Sequence, residues 1–200
     1  TSLSSKDIKM STLKRRLVSI GVIHKLKGHY LDTKHPSIIE NIMGIKRRKG
    51  SIQKAKKPLL INNLKQIINV IDDQLSNKIK ILRDRSIILI GFAGGFRRKE
   101  IVSLNLEDLE FVTEGLKIKI TKSKTDQFGE GFVKGLPHFD NSQFCPVVSI
   151  KKWIKFSNIN SGPLFRRFNK GSNLSEKRLT DQSVALIIKK YLELAGIDSK

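Results

Sequence analysis

The chain holds a single cysteine, Cys145, in 200 residues. One thiol cannot form an internal disulfide, and no Cys/His set has the spacing of a zinc site. Long apolar runs are also absent. The longest, Ile87–Ile90 extended to Phe92–Ala93, falls far short of the roughly 20 residues that span a bilayer. Thr1–Thr12 lacks the apolar run of a secretory signal, and no methionine stands at position 1, so Thr1 is read as other than the natural start. The expectation is a protein of the reducing cytoplasm, with no membrane partner, no metal and no cofactor.

Acidic residues are scarce too. Asp and Glu total 18 against 39 Lys and Arg, a net charge of +21 and a pI near 10.2. The surplus is front-loaded: residues 1–57 carry 15 Lys/Arg and three Asp/Glu, the remaining 143 carry 24 and 15. Such a surplus suits a polyanion, because each neutralised phosphate releases condensed counterions. A basic leading segment favours nucleic acid over a membrane or a small-molecule substrate. Charge alone also allows a basic RNA-binding protein.

The apolar pattern is mostly helical. Leu13, Leu17, Ile20 and Ile23 recur at three- and four-residue steps, and Ile38, Ile39, Ile42, Met43 and Ile45 form the inner face of a second helix after Pro36. Residues 50–58 read as a basic, polar linker closed by Pro58. Asn62 or Asn63 can cap a helix carrying Leu64, Ile67, Ile68 and Ile71. A helix over about 79–94 is apolar enough to be buried on most sides. Leu116, Ile118 and Ile120 alternate with Lys117, Lys119 and Thr121, a half-buried strand that pairs with one near Phe132–Leu136. Pro146 and Thr180 open two further helices, the second with Tyr191 on its inner face. The fold class expected is mainly α with a small antiparallel hairpin or sheet, α+β.

Two segments could carry chemistry. Gly94-Gly95-Phe96-Arg97-Arg98-Lys99-Glu100 follows a buried helix; the glycines let the backbone turn sharply and present an arginine fork that suits a phosphate. Ile120-Thr121-Lys122-Ser123-Lys124-Thr125-Asp126 places lysines at a strand-to-turn junction, within reach of a groove. Taken alone, each is equally a solvated basic turn or an ordinary polar hairpin tip.

Together, in this order and at this separation, they look like more. Arg83–Leu104, with its apolar helix running into Gly-Phe-Arg-x-x-Glu, resembles the opening of the catalytic domain of the tyrosine recombinase (phage integrase) family. Leu104–Asp108, Ser123–Asp126, Cys145-Pro146 and Ser161–Phe165 resemble the segments that follow it. The resemblance implies that Arg97 is the first catalytic arginine with Glu100 as its acidic partner, and that Lys124 is the catalytic lysine, with Lys122 a second claimant. Lys99 departs from the small residue usual at its position. It further implies a partial helical core-binding domain over 1–49, a linker over 50–58 and the N-terminal part of the catalytic domain over 59–200. Lys14, Arg15, Arg16, Lys46, Arg47, Arg48, Lys49 and Arg98 would touch double-stranded DNA.

In that family a tyrosine oxygen attacks the scissile phosphate, arginines stabilise the added charge and the lysine protonates the leaving oxygen. The His-x-x-Arg motif and the nucleophile cannot be placed. Tyr30 lies in the front region, and Tyr191 fits core packing. Read to Lys200, the chain therefore stops before the residues that would cut DNA: either a fragment of a recombinase that works with other protomers, or a DNA-binding protein of the same ancestry that does not cut. It is expected to be monomeric off DNA and associated with the nucleoid.

Overall fold

The computed structural model describes residues 8–50, 58–74, 77–121, 131–140 and 143–198. The chain divides into two compact units, Thr1–Lys57 and Pro58–Lys200.

The first unit is a pair of helices, α1 (Met10–Leu26) and α2 (Pro36–Lys49). Pro36 opens α2 because its fixed φ suits the first helical turn, and the His35 side chain accepts from the Ser37 backbone N–H. Leu13, Leu17 and Ile20 face Ile38, Ile42 and Ile45 across an apolar cleft of about 300 Å³. Neither helix has a buried residue. Ile39 and Met43, expected on the inner face, are exposed, because two helices alone cover only a narrow stripe of each other.

The second unit is built around α4 (Lys78–Ala93). Asn77 caps it by accepting from the Ile79 and Lys80 backbone N–H groups. Ile87 and Ile90 pack into one cluster with Trp153, Phe165, Leu104 and Ile118, while Ile88 and Leu89 pack into a second with Ile67, Ile68, Ile71 and Tyr191. The second cluster comes from α3 (Ile61–Asp72) and α7 (Asp181–Leu194), the first from α5 (Arg98–Ser103), α6 (Pro146–Ser157) and the main sheet. The cap of α3 differs from the expectation: Leu60 is the N-cap, and Asn63 reaches back from inside the first turn to accept its N–H. No helix among the described residues is long and apolar enough to cross a membrane.

Three strands form the main sheet in the order β1 (Leu109–Val112), β2 (Gly115–Ile120), β3 (Phe132–Pro137), all antiparallel. The expected hairpin is therefore a three-stranded sheet. A separate ribbon pairs β4 (Arg166–Phe168) with β5 (Leu174–Arg178). The β1–β2 turn needs a glycine: a Cβ on Gly115 would lie 2.0 Å from the Leu136 carbonyl oxygen, in backbone that cannot withdraw cheaply. Gly115→Ala is expected to cost about 3 kcal/mol through this overlap, read as a lower urea midpoint by circular dichroism; a change near zero would contradict the register.

Candidate functional site

The turn between α4 and α5 presents Arg97. Gly95 adopts a left-handed φ of +57° and closes α4 in a Schellman pattern: the Phe96 N–H donates to Gly91 O at 3.2 Å and the Gly95 N–H to Phe92 O at 3.3 Å. Phe96 folds back into the core, so closely that a Cβ on Gly94 would lie 2.2 Å from its ring. The glycine pair thus serves two separate needs, a left-handed turn and a close ring approach. The chain emerges from it at Arg97, in extended backbone immediately before α5.

Glu100 organises the arginine. One carboxylate oxygen accepts from the Arg97 backbone N–H at 2.9 Å and the other from its guanidinium at 2.8 Å. The glutamate side chain is 5% exposed and the arginine side chain 53% exposed. A buried carboxylate therefore sets the direction of a guanidinium whose outer surface meets solvent, as a phosphate ligand requires. Arg98 and Lys99 are exposed beside it.

The far end of α5 is also fastened. Arg178 of β5 donates to Val102 O at 2.5 Å, to Leu104 O at 3.0 Å and to Asn105 Oδ1 at 2.5 Å. A cation on the last carbonyls of a helix satisfies their lone pairs and their negative dipole end. Leu106 N–H to Gly162 O and Leu164 N–H to Leu104 O then tie this segment to the stretch before β4. Gly162 N–H donates to Glu107 at 2.8 Å, and that bond holds the exposed carboxyl below its usual range.

Lys122 and Lys124 lie in 122–130, outside the described residues. The strands leading to that segment are described as far as the pair Ile120↔Phe132. Lys134 on β3 sits opposite the buried Ile118 and two residues from the buried Leu136, a slot where alternation calls for an apolar residue. Its ammonium donates to Gly94 O at 2.8 Å and lies 4.4 Å over the Phe96 ring and 5.6 Å from that of Phe132. Sequence reasoning missed both Lys134 and Arg178. The available signal for Lys134 was a lysine on the inward face of a half-buried strand.

The remaining basic residues singled out in the sequence belong to the first unit. Successive helix positions are about 100° apart, so Lys14, Arg15 and Arg16 fan around α1; Arg16 borders the apolar cleft, and Lys14 and Arg15 do not. Lys46, Arg47, Arg48 and Lys49 occupy the last turn of α2, where positive charge also offsets the helix dipole.

The two tyrosines are placed in opposite surroundings. Tyr30 is 91% exposed on the first unit. Tyr191 is 1% exposed on α7, and its hydroxyl donates to Asp84 at 3.2 Å. Burial first, and the Asp84 carboxylate second, push its phenol well above the usual tyrosine value, so it is held neutral and packed as a core residue. Among the described residues no group of His, Cys, Asp and Glu could hold a metal ion.

Comparison with known proteins gives this geometry a context. The model of the phage integrase family matches residues 57–200. An integrase/recombinase XerD homolog of Selenomonas ruminantium is 36% identical over 195 residues, covering 96% of this chain and 56% of that protein. Among solved structures, XerA recombinase aligns at a TM-score of 0.52 with 14% identity, over 100% of this chain and 66% of its own. XerH recombinase on a palindromic difH substrate, after cleavage, aligns at 0.55 with 18% identity, over 98% and 58%. The chain spans little more than half the length of the curated relative. With residues 57–200 under one family model, a stretch that contains α4, the turn with Arg97 and Glu100, and the three-stranded sheet, this chain belongs to the phage integrase family, the tyrosine recombinases.

Proposed function

We propose that this chain binds duplex DNA as the part of a tyrosine recombinase that grips the phosphate to be cut. Arg97, aimed by Glu100, and Lys124, from the 122–130 segment, contact one phosphodiester, with Arg98 and Lys122 on neighbouring phosphates. Residues 1–49 serve as a helical DNA-binding domain joined by residues 50–58 to the catalytic portion, 59–200. Lys14, Arg15, Arg16 and Lys46–Lys49 contribute sequence-independent backbone contacts. In the complete protein the same site takes part in strand exchange through a phosphotyrosine link, together with other protomers and on the DNA of the nucleoid. No metal or nucleotide is required, since the covalent link keeps the energy of the broken bond.

The observation that carries the reading is the half-exposed Arg97 guanidinium pinned on a buried carboxylate. A solvated surface arginine has no need of a buried acid that also holds its backbone N–H. Kinship with an integrase/recombinase homolog supports the assignment, and so does the net charge of +21.

The test is fluorescence anisotropy on several unrelated duplexes. Arg97→Ala and Lys124→Ala are each expected to weaken binding about five- to tenfold, the loss of roughly 1 to 1.4 kcal/mol of charge-assisted contact. The loss should be nearly equal on every sequence, because phosphate contacts carry no base information. Unchanged affinity in both variants, or a loss confined to one duplex, would sink the assignment.

A further inference from the structure

We propose that Lys134 is a positioning residue that fastens the turn carrying Arg97 to β3, so that the Arg97 guanidinium is held in place for a phosphate. The inference rests on the phosphate-gripping reading above and adds a residue to it.

The strand pattern makes the case first. Phe132, Lys134 and Leu136 share one face of β3, opposite Ile120, Ile118 and Leu116, all of which are buried. A lysine at the middle of that row breaks the alternation, and a local rule broken without a gain in packing marks a position held for another reason. The ammonium is not left stranded. It donates to Gly94 O, the carbonyl at the very end of α4, and rests over the Phe96 ring. Both groups belong to the turn that delivers Arg97.

The consequence is geometric. The described part of the hairpin ends at Ile120↔Phe132, two residues beyond the Ile118↔Lys134 pair, or about 7 Å at ordinary strand rise. Lys134 therefore fastens β3 to the C-terminus of α4, three residues before Arg97. A ligand gains affinity when the turn that presents it is held before the phosphate arrives. An apolar residue would fill the same slot and leave the two elements free to slide.

Lys134→Met keeps the stem and removes the donor and the charge; Lys134→Arg keeps both. The experiment is a double-mutant cycle on the whole 200-residue chain, crossing each with Arg97→Ala and reading duplex affinity, with thermal unfolding followed in parallel. Lys134→Met should weaken binding about fivefold, and in its presence the Arg97→Ala penalty should shrink to less than about twofold. Lys134→Arg should recover most of the affinity and the full Arg97→Ala penalty. An undiminished Arg97→Ala penalty beside Lys134→Met overturns the inference, since it would make Lys134 a DNA contact or a purely structural residue. Loss of folding in Lys134→Met passes the same cycle to Lys134→Gln, judged by the same two penalties. No effect of Arg97→Ala in the otherwise native chain overturns the phosphate-gripping reading itself, and this inference with it.

Discussion

Asp84→Ala is expected to destabilise the second unit by about 3–5 kcal/mol, the cost of stranding a buried charge. The Asp84 side chain is 1% exposed and the neighbouring Arg83 side chain 5%. One Asp84 oxygen accepts two guanidinium hydrogen bonds, at 2.7 and 2.9 Å, and the other accepts from Tyr191. The arginine in turn donates to Arg166 O and stacks 4.7 Å from the Phe168 ring, so the cluster also anchors the β4–β5 ribbon. Removing the carboxylate leaves the guanidinium in an apolar interior with its main partner gone. Because whole domains are stable by only about 5–15 kcal/mol, the urea midpoint should drop by a large fraction. Asp84→Asn should cost nearly as much, since it keeps the shape and loses the charge, whereas Tyr191→Phe should cost only about 1 kcal/mol. The pH sign follows from the raised Tyr191 phenol. Its protonated, folded form contributes below the ordinary tyrosine value of about 10, and that contribution is lost as pH climbs beyond it. A loss below about 1 kcal/mol for Asp84→Ala would contradict the buried network.

Trp153→Ala is the second large effect, again about 3–5 kcal/mol, because a fully buried aromatic leaves a cavity its neighbours cannot close. Trp153 is 0% exposed, stacks on Phe165 with ring centroids 6.5 Å apart and donates from Nε1 to Leu164 O at 2.9 Å. Leu164 N–H is bonded to Leu104 O, directly after α5. The indole thus supports the floor beneath the short helix that carries Glu100. Trp153→Phe should lose about 1–2 kcal/mol, retaining most of the packing and giving up the hydrogen bond. As this is the sole tryptophan, far-UV circular dichroism is the readout. An alanine variant that unfolds at the native urea concentration would contradict the packing.

The parts of the structure legible in the sequence are those written in apolar period. The α3 row Leu64, Ile67, Ile68, Ile71 and the β2 row Leu116, Ile118, Ile120 are buried as the spacing predicts. Thr180 caps α7 through Ser183, and Tyr191 is a core residue. What escapes the pattern is held by side chains that reach backbone. The β4–β5 ribbon has almost no apolar alternation; Arg166 and Arg178 secure it through carbonyl contacts that no periodicity encodes. The β1 strand is only four residues long and half-exposed, too short to register as a repeat. The charged run Arg83-Asp84-Arg85 lies inside a buried stretch of α4 because each charge finds a partner: Arg85 bonds the Asp72 carboxylate and the Gln143 carbonyl.

At the site, the Gly-Phe-Arg-x-x-Glu spacing is readable because residues three apart share a helix face and Glu100 can turn back to the start of its own helix. The fastening of the far end of α5 and of the hairpin base is not. Gly94 and Lys134 are 40 residues apart in the chain, and Leu104 and Arg178 are 74 apart. Contacts of that range follow from the fold; a lysine on the inward face of β3 marks its own position in the pattern, but not the partner it reaches.

The measurement that bears most directly on the central claim is the salt dependence of duplex binding, taken for the native chain and for Arg97→Ala between about 50 and 200 mM salt. Counterion release predicts a straight, steep line of log affinity against log salt for the native chain, several units in slope, and a line shallower by about one unit for the variant. A flat response, or identical slopes for the two proteins, would mean that Arg97 does not meet a phosphate.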